Sequence, residues 1–100
     1  IDWSQVPLLS NVQTLADDGV ITGASDRNWL SYSNEVGIPA DFTPAQRALL
    51  TDPQTSGGLL VSCSPDSVKE VLDIFNQHHF LGARVIGQMS KRQEKPLVIS

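Results

Sequence analysis

The sequence predicts a small α+β domain, a mixed β-sheet with helices packed on it, and three observations carry that reading. Apolar residues recur at helical spacing after Ser64-Pro65-Asp66, Thr43-Pro44-Ala45-Gln46 reads as a helix start, and short apolar runs at 59–64, 83–89 and 96–99 are bounded by Gly, Pro and Ser. A chain of 100 residues, 40% hydrophobic and 18% charged, suits one domain with one core. No internal repeat or low-complexity tract divides it.

Taken in order, Ile1, Asp2 and Trp3 open the chain as if in the middle of a strand. Ser10 is placed to cap a helix over residues 11–18, which Gly19 would stop in a left-handed conformation. Ser25 is placed to cap a short helix carrying Trp29, Leu30 and Tyr32, ended by Gly37 and Pro39. Thr43 and Gln46 form a capping box around Pro44, which is preset for the first helical position, so a helix is expected to about Leu50. Residues 59–64 read as a short strand. Ser64, Pro65 and Asp66 then supply a cap, a compatible proline and an acid that complements the helix dipole. Val68, Val71, Leu72, Phe75 and His79 line one face of the helix that follows, opposite Lys69, Glu70, Asp73 and Asn76. Full burial of the four apolar members would contribute about 6–12 kcal/mol of gross transfer energy, so this helix is expected in the core. Leu81-Gly82 turns the chain, 83–89 reads as a strand, SKRQEK as a solvated hairpin loop, and 96–99 as the last strand.

Composition excludes several functions. Seven Lys and Arg against eleven Asp and Glu leave a charge of -4 with the basic residues scattered, which disfavours nucleic acid and anionic membrane as partners. Cys63 is the only cysteine, so an intramolecular disulfide and a CxxC site are impossible and nothing demands an oxidising compartment. No run approaches a membrane span, and IDWSQVP lacks the pattern of a signal peptide. A cytoplasmic location is expected. The absent initiator Met and the mid-strand opening predict a fragment or processed product. Such a piece would leave unpaired strand edges and apolar side chains such as Val6, Leu8, Leu9 and Leu60 exposed, and is expected to associate with itself.

The stretch TDPQTSGGLLVS asks for more than a turn. Asp52-Pro53 must stop the preceding helix near Thr51, because proline fixes its own φ and drives the residue before it out of the helical region. Thr55 and Ser56 supply hydroxyls and N–H groups, while Gly57 and Gly58 let a backbone pass close to another backbone or to a ligand. Successive N–H groups here can form an anion-binding nest. A tight glycine turn feeding a buried strand explains the same residues, since TSGG lacks the lysine of a P-loop and does not open a helix.

These residues also carry a resemblance. Asp52-Pro-Gln-Thr-Ser-Gly-Gly-Leu-Leu60 resembles the DPQTSGGLL motif of the selenophosphate synthetase (selenide, water dikinase) family, and Gly23-Ala-Ser-Asp-Arg-Asn28 is similar to that family's GGTxRN segment about thirty residues earlier. The similarity covers nearly the whole chain and departs at Ala24, where the family more often has a second glycine. Arg27 and Asn28 match.

The resemblance implies the last part of the C-terminal half of an aminoimidazole ribonucleotide synthetase-like fold, with the N-terminal ATP-binding domain absent from residues 1–100. It further implies a homodimeric, magnesium-requiring transferase that makes selenophosphate from selenide, ATP and water, with AMP and orthophosphate as the other products. The family's Cys or selenocysteine nucleophile, its lysine and its magnesium-holding aspartates all lie upstream. No catalytic residue and no metal ligand is therefore assigned here, and this piece alone is expected to be inactive and to hold neither ATP nor Mg. Thr55, Ser56, Gly57 and Gly58 are candidate walls of a phosphate or selenide cavity, beside Arg27 and Asn28, because phosphoryl transfer depends on aligned donors and guanidinium matches phosphate oxygens.

Plainer roles compete for the remaining residues: packing for Cys63, a helix end for His78-His79, core for Trp3, Trp29 and Phe42, and an ion pair for Arg27. Two alternatives to the synthetase stay open. One is the same half of a hydrogenase-maturation or purine-synthesis enzyme, which GASDRN disfavours; the other is a free-standing assembly module.

Overall fold

The computed structural model describes residues 1–100 as helices α1 (Val12–Asp17), α2 (Gly23–Tyr32), α3 (Pro44–Thr51) and α4 (Val68–Gln77), with a small sheet. Strand β1 (Val36–Gly37) pairs in parallel with β2 (Leu97–Val98), Val36 opposite Leu97. Ile99 N continues the ladder by donating to Gly37 O at 2.8 Å. On the other side of β2, Ile1 N donates to Val98 O at 2.7 Å, Ser100 N to Ile1 O at 2.8 Å and Trp3 N to Ser100 O at 2.7 Å. That alternation is parallel pairing of residues 1–3 with 98–100. Asp2 N points the opposite way and donates to Ile86 O at 2.8 Å, as the pleat requires.

The spatial order is therefore residue 86, residues 1–3, β2, β1. It corrects the expected hairpin between 83–89 and 96–99: 83–89 forms no strand, and residues 1–3 lie between the two runs, so SKRQEK does not join neighbours. The insertion lets residues 1–3 use backbone groups on both edges, which a hairpin would have left unpaired. Ile99 is buried in this sheet, and Trp3 stacks edge-on against Phe42 with ring centroids 5.4 Å apart.

Helix α3 packs against both α1 and α2, with Ala16 and Ala48 as the buried apolar residues of that layer. The capping box forms as read: Gln46 N donates to Thr43 Oγ1 at 3.1 Å, and Thr43 N donates to Gln46 Oε1 at 2.8 Å. Gly19 ends α1 at φ 83°. Two expected caps move. The residue before α1 is Asn11, left-handed at φ 67°, rather than Ser10. Helix α2 begins at Gly23, so Ser25 lies inside it, where packing against α3 gives its hydroxyl a different task.

Two expectations fail for want of a partner. Residues 59–64 join no sheet and are exposed, Leu59 at 83% and Leu60 at 77%, and Cys63 is exposed rather than packed. The amphipathic helix forms after a 3₁₀ turn at Pro65–Ser67, but none of its residues is buried, so the expected core burial is not realised. His79 lies beyond its end at φ 65°, off the predicted stripe, and Phe80 folds back to meet Phe75 edge-on with ring centroids 6.2 Å apart. The accessible surface is 7929 Å², whereas a compact monomer of this mass would expose about 5,600 Å². The surplus of about 2,300 Å² is surface that a closed domain would cover.

Candidate functional site

The two motifs meet at the seam between α2 and α3. Thr22, Ser25 and Asn28 are three residues apart, which puts them along one side of α2. Each reaches the C-terminal end of α3. Ser25, only 2% exposed, donates from Oγ to Ala48 O at 3.3 Å. Asn28 Nδ2 donates to Thr51 O at 2.7 Å, and Thr22 Oγ1 donates to the Asp52 carboxylate at 3.1 Å. Thr51 Oγ1 turns back onto Arg47 O at 2.9 Å.

The chemistry of a helix end explains the arrangement. The last carbonyls of a helix have no partner in the next turn, and Pro53 offers no N–H to close over them. Asp52 leaves the helix at φ -64° and ψ 126°, the extended geometry that a following proline imposes. Side chains of α2 therefore do the capping. At the other edge of the seam, the Arg47 guanidinium lies 5.6 Å from the Trp29 ring centroid and 3.5 Å from Asp26 Oδ1. Asp26 is 67% exposed, so the ion pair adds little and the stacked guanidinium accounts for more of the contact.

Beyond Pro53 the chain turns at Thr55 and Ser56, and Thr55, Ser56, Gly57 and Gly58 are all exposed, the two hydroxyls without partners in the chain. Neither Gly57 nor Gly58 is left-handed. A Cβ at Gly57 would meet only Gln54, at ordinary contact distances from 3.5 Å, and one at Gly58 would meet nothing within 4 Å. The fold of residues 1–100 thus does not itself call for glycine at either position. With residues 59–64 exposed and in no strand, the plainer reading of a tight glycine turn feeding a buried strand is not borne out.

Of the six candidate residues, the structure joins only Asn28 to the DPQTSGG segment, through Thr51. Arg27 is exposed and its guanidinium makes no ion pair or hydrogen bond, so the expected intradomain pair is absent. No hydrogen bond links it to Thr55 or Ser56. Thr22 was not singled out by sequence, and Ser25 and Thr51 were read only as a helix cap and a helix end; the polar spacing Thr22-x-x-Ser25-x-x-Asn28 was the signal available. No three His, Cys, Asp or Glu side chains converge on a point that could hold a metal. A half-open apolar cavity of about 190 Å³ lies between α1 and α3, with Thr22 and Asp52 at its polar end.

A family described as AIR synthase related protein, C-terminal domain, matches residues 1–99. The chain is 52% identical over 98 residues to a selenide, water dikinase of Pseudomonas straminea, covering 98% of this chain and 28% of that protein. It is 51% identical over 89 residues to the selenide, water dikinase of Paraburkholderia xenovorans (strain LB400), 89% of this chain and 25% of the relative. The protein of the same name in Rhizobium meliloti (strain 1021) is 42% identical over 97 residues, 97% and 28% of the two chains. The chain thus spans about a quarter of the length of these curated relatives. No solved structure matches it.

Proposed function

The chain belongs to the family of AIR synthase related C-terminal domains, and from that premise we propose that it works as the C-terminal part of a selenide, water dikinase. That enzyme would make selenophosphate from selenide, ATP and water. The observation that carries the proposal is the 42–52% identity to proteins of that name over nearly the whole length of residues 1–100. The bonds from Thr22 to Asp52 and from Asn28 to Thr51 support it, because they hold the start of the DPQTSGG segment beside the helix that carries GASDRN.

In this reading the exposed hydroxyls of Thr55 and Ser56 and the free Arg27 guanidinium face an anion, and Gly57 and Gly58 keep the approach open. Phosphoryl transfer asks a protein for alignment and charge stabilisation more than covalent chemistry, which donors of this kind supply. No cluster of His, Cys, Asp or Glu side chains converges to hold magnesium. Magnesium and ATP are assigned to an N-terminal ATP-binding domain of the same polypeptide, as is the nucleophile. A homodimer in the cytoplasm is the assembly and location we propose.

Selenide-dependent formation of AMP and orthophosphate is the test. The full-length polypeptide carrying residues 1–100 should show it, and the purified 100-residue piece should not. Activity of the piece alone would overturn the assignment of chemistry to the rest of the chain. A full-length protein without selenide-dependent turnover would overturn the function.

A further inference from the structure

We propose that Asn28 is a positioning residue for the turn of Thr55, Ser56, Gly57 and Gly58, acting through the end of α3; the proposal rests on the placement of that turn at the reaction site. Its amide donates to Thr51 O at 2.7 Å, the last carbonyl of α3, which has no helical partner because the chain leaves the helix extended at Asp52, ahead of Pro53. One residue later, Thr22 Oγ1 holds the Asp52 side chain at 3.1 Å. Two consecutive residues are thus tied to α2 directly before a proline whose φ is fixed. Pro53 and Gln54 are all that separates these anchors from Thr55. Rotation of the α3 end is therefore passed to the turn with little slack.

The neighbouring serine provides the contrast. Ser25 is buried and bonds Ala48 O, one turn before the helix end, and its hydroxyl meets Thr22 Oγ1 at 3.1 Å, so it holds α2 against α3 and reaches the exit only through Thr22. Asn28 is half-buried and bonds the exit itself. Loss of Ser25 should therefore lower stability, and loss of Asn28 should move the turn.

The test uses the full-length enzyme with Asn28→Ala, Asn28→Asp, Asn28→Gln and Ser25→Ala, read by hydrogen exchange and by kcat and KM for selenide and ATP. Asn28→Ala should speed amide exchange in the peptide over residues 47–56 about fivefold, the expected effect of one lost hydrogen bond, and leave α4 unchanged. It should lower kcat about tenfold to a hundredfold at nearly constant melting temperature, as a misplaced site does. Asn28→Asp should behave like Ala, because its carboxylate offers no proton to a carbonyl. Asn28→Gln, which keeps the donor, should recover part of kcat. Ser25→Ala should lower the melting temperature and spare kcat. Unchanged exchange over 47–56 in Asn28→Ala overturns the proposal whatever the enzyme's activity. Faster exchange with kcat and KM intact overturns it too, because the turn then does not serve the chemistry. A wild-type enzyme without selenide-dependent turnover rejects the functional reading instead, and the exchange result alone then decides whether Asn28 holds the turn.

Discussion

Gly87 lies so close to Ile1 that a Cβ at position 87 would stand 3.0 Å from the Ile1 Cα and 3.3 Å from its backbone nitrogen. Such a contact is tighter than nine in ten real Cβ contacts, so Ile1 would have to give by a few tenths of an ångström. The contact sits beside the Asp2 to Ile86 hydrogen bond, so the missing side chain is what lets residues 1–3 reach their second neighbour.

Gly87→Ala should therefore destabilise the protein by about 1–3 kcal/mol, the usual cost of forcing an extra carbon into a packed site. Gly82, around which a Cβ would meet nothing within 4 Å, is the matched control, and Gly82→Ala should change stability little. Urea denaturation of both variants decides it. Equal midpoints would mean that the sheet gives way at no cost.

At Gly57 the expectation is the reverse. Because φ there is not left-handed and the nearest atoms belong to Gln54, Gly57→Ala should leave the melting temperature within about 1 °C, a shift far smaller than 1 kcal/mol would produce. If selenide-dependent turnover of the full-length enzyme falls all the same, the glycine is needed by what approaches the turn. Full turnover in Gly57→Val with an unchanged melting temperature would remove the turn from the site.

The surplus surface also has a measurable outcome. About 2,300 Å² beyond that of a compact monomer exceeds the ~800 Å² per partner of a standard stable interface. Exposed Leu59, Leu60, Phe80 and Leu81 belong to that surface. The purified 100-residue polypeptide should bind a hydrophobic dye and elute in size-exclusion chromatography as species larger than its 10.9 kDa mass. A monodisperse monomer by light scattering across micromolar concentrations would show that this surface is stable in water.

Features decided within a few residues were legible in the sequence. The Thr43 and Gln46 capping box and the left-handed Gly19 depend on local chemistry, and both form as read. Ser25 has the chemistry of a cap, and only the nearness of Ala48 on another helix makes it a buried tie instead. Residues 59–64 have a strand pattern, but a strand needs a neighbour that no local signal supplies. The same limit applied to the site. Arg27, Asn28 and the TSGG turn stood out from their motifs, whereas the bond from Asn28 to Thr51 spans 23 positions and no spacing rule announces it.

Residues 1–3 pair with 98–100, so this N-terminal pairing waits for the far end of the segment to be made. At ~5–20 residues per second, translation leaves it unpaired for roughly 5–20 s. The contacts of α3 with α1 and α2, by contrast, close within residues 12–51. On the ribosome a helical layer emerges first and the sheet is completed last, which makes the nascent protein most vulnerable to mispairing while SKRQEK is still in the exit tunnel.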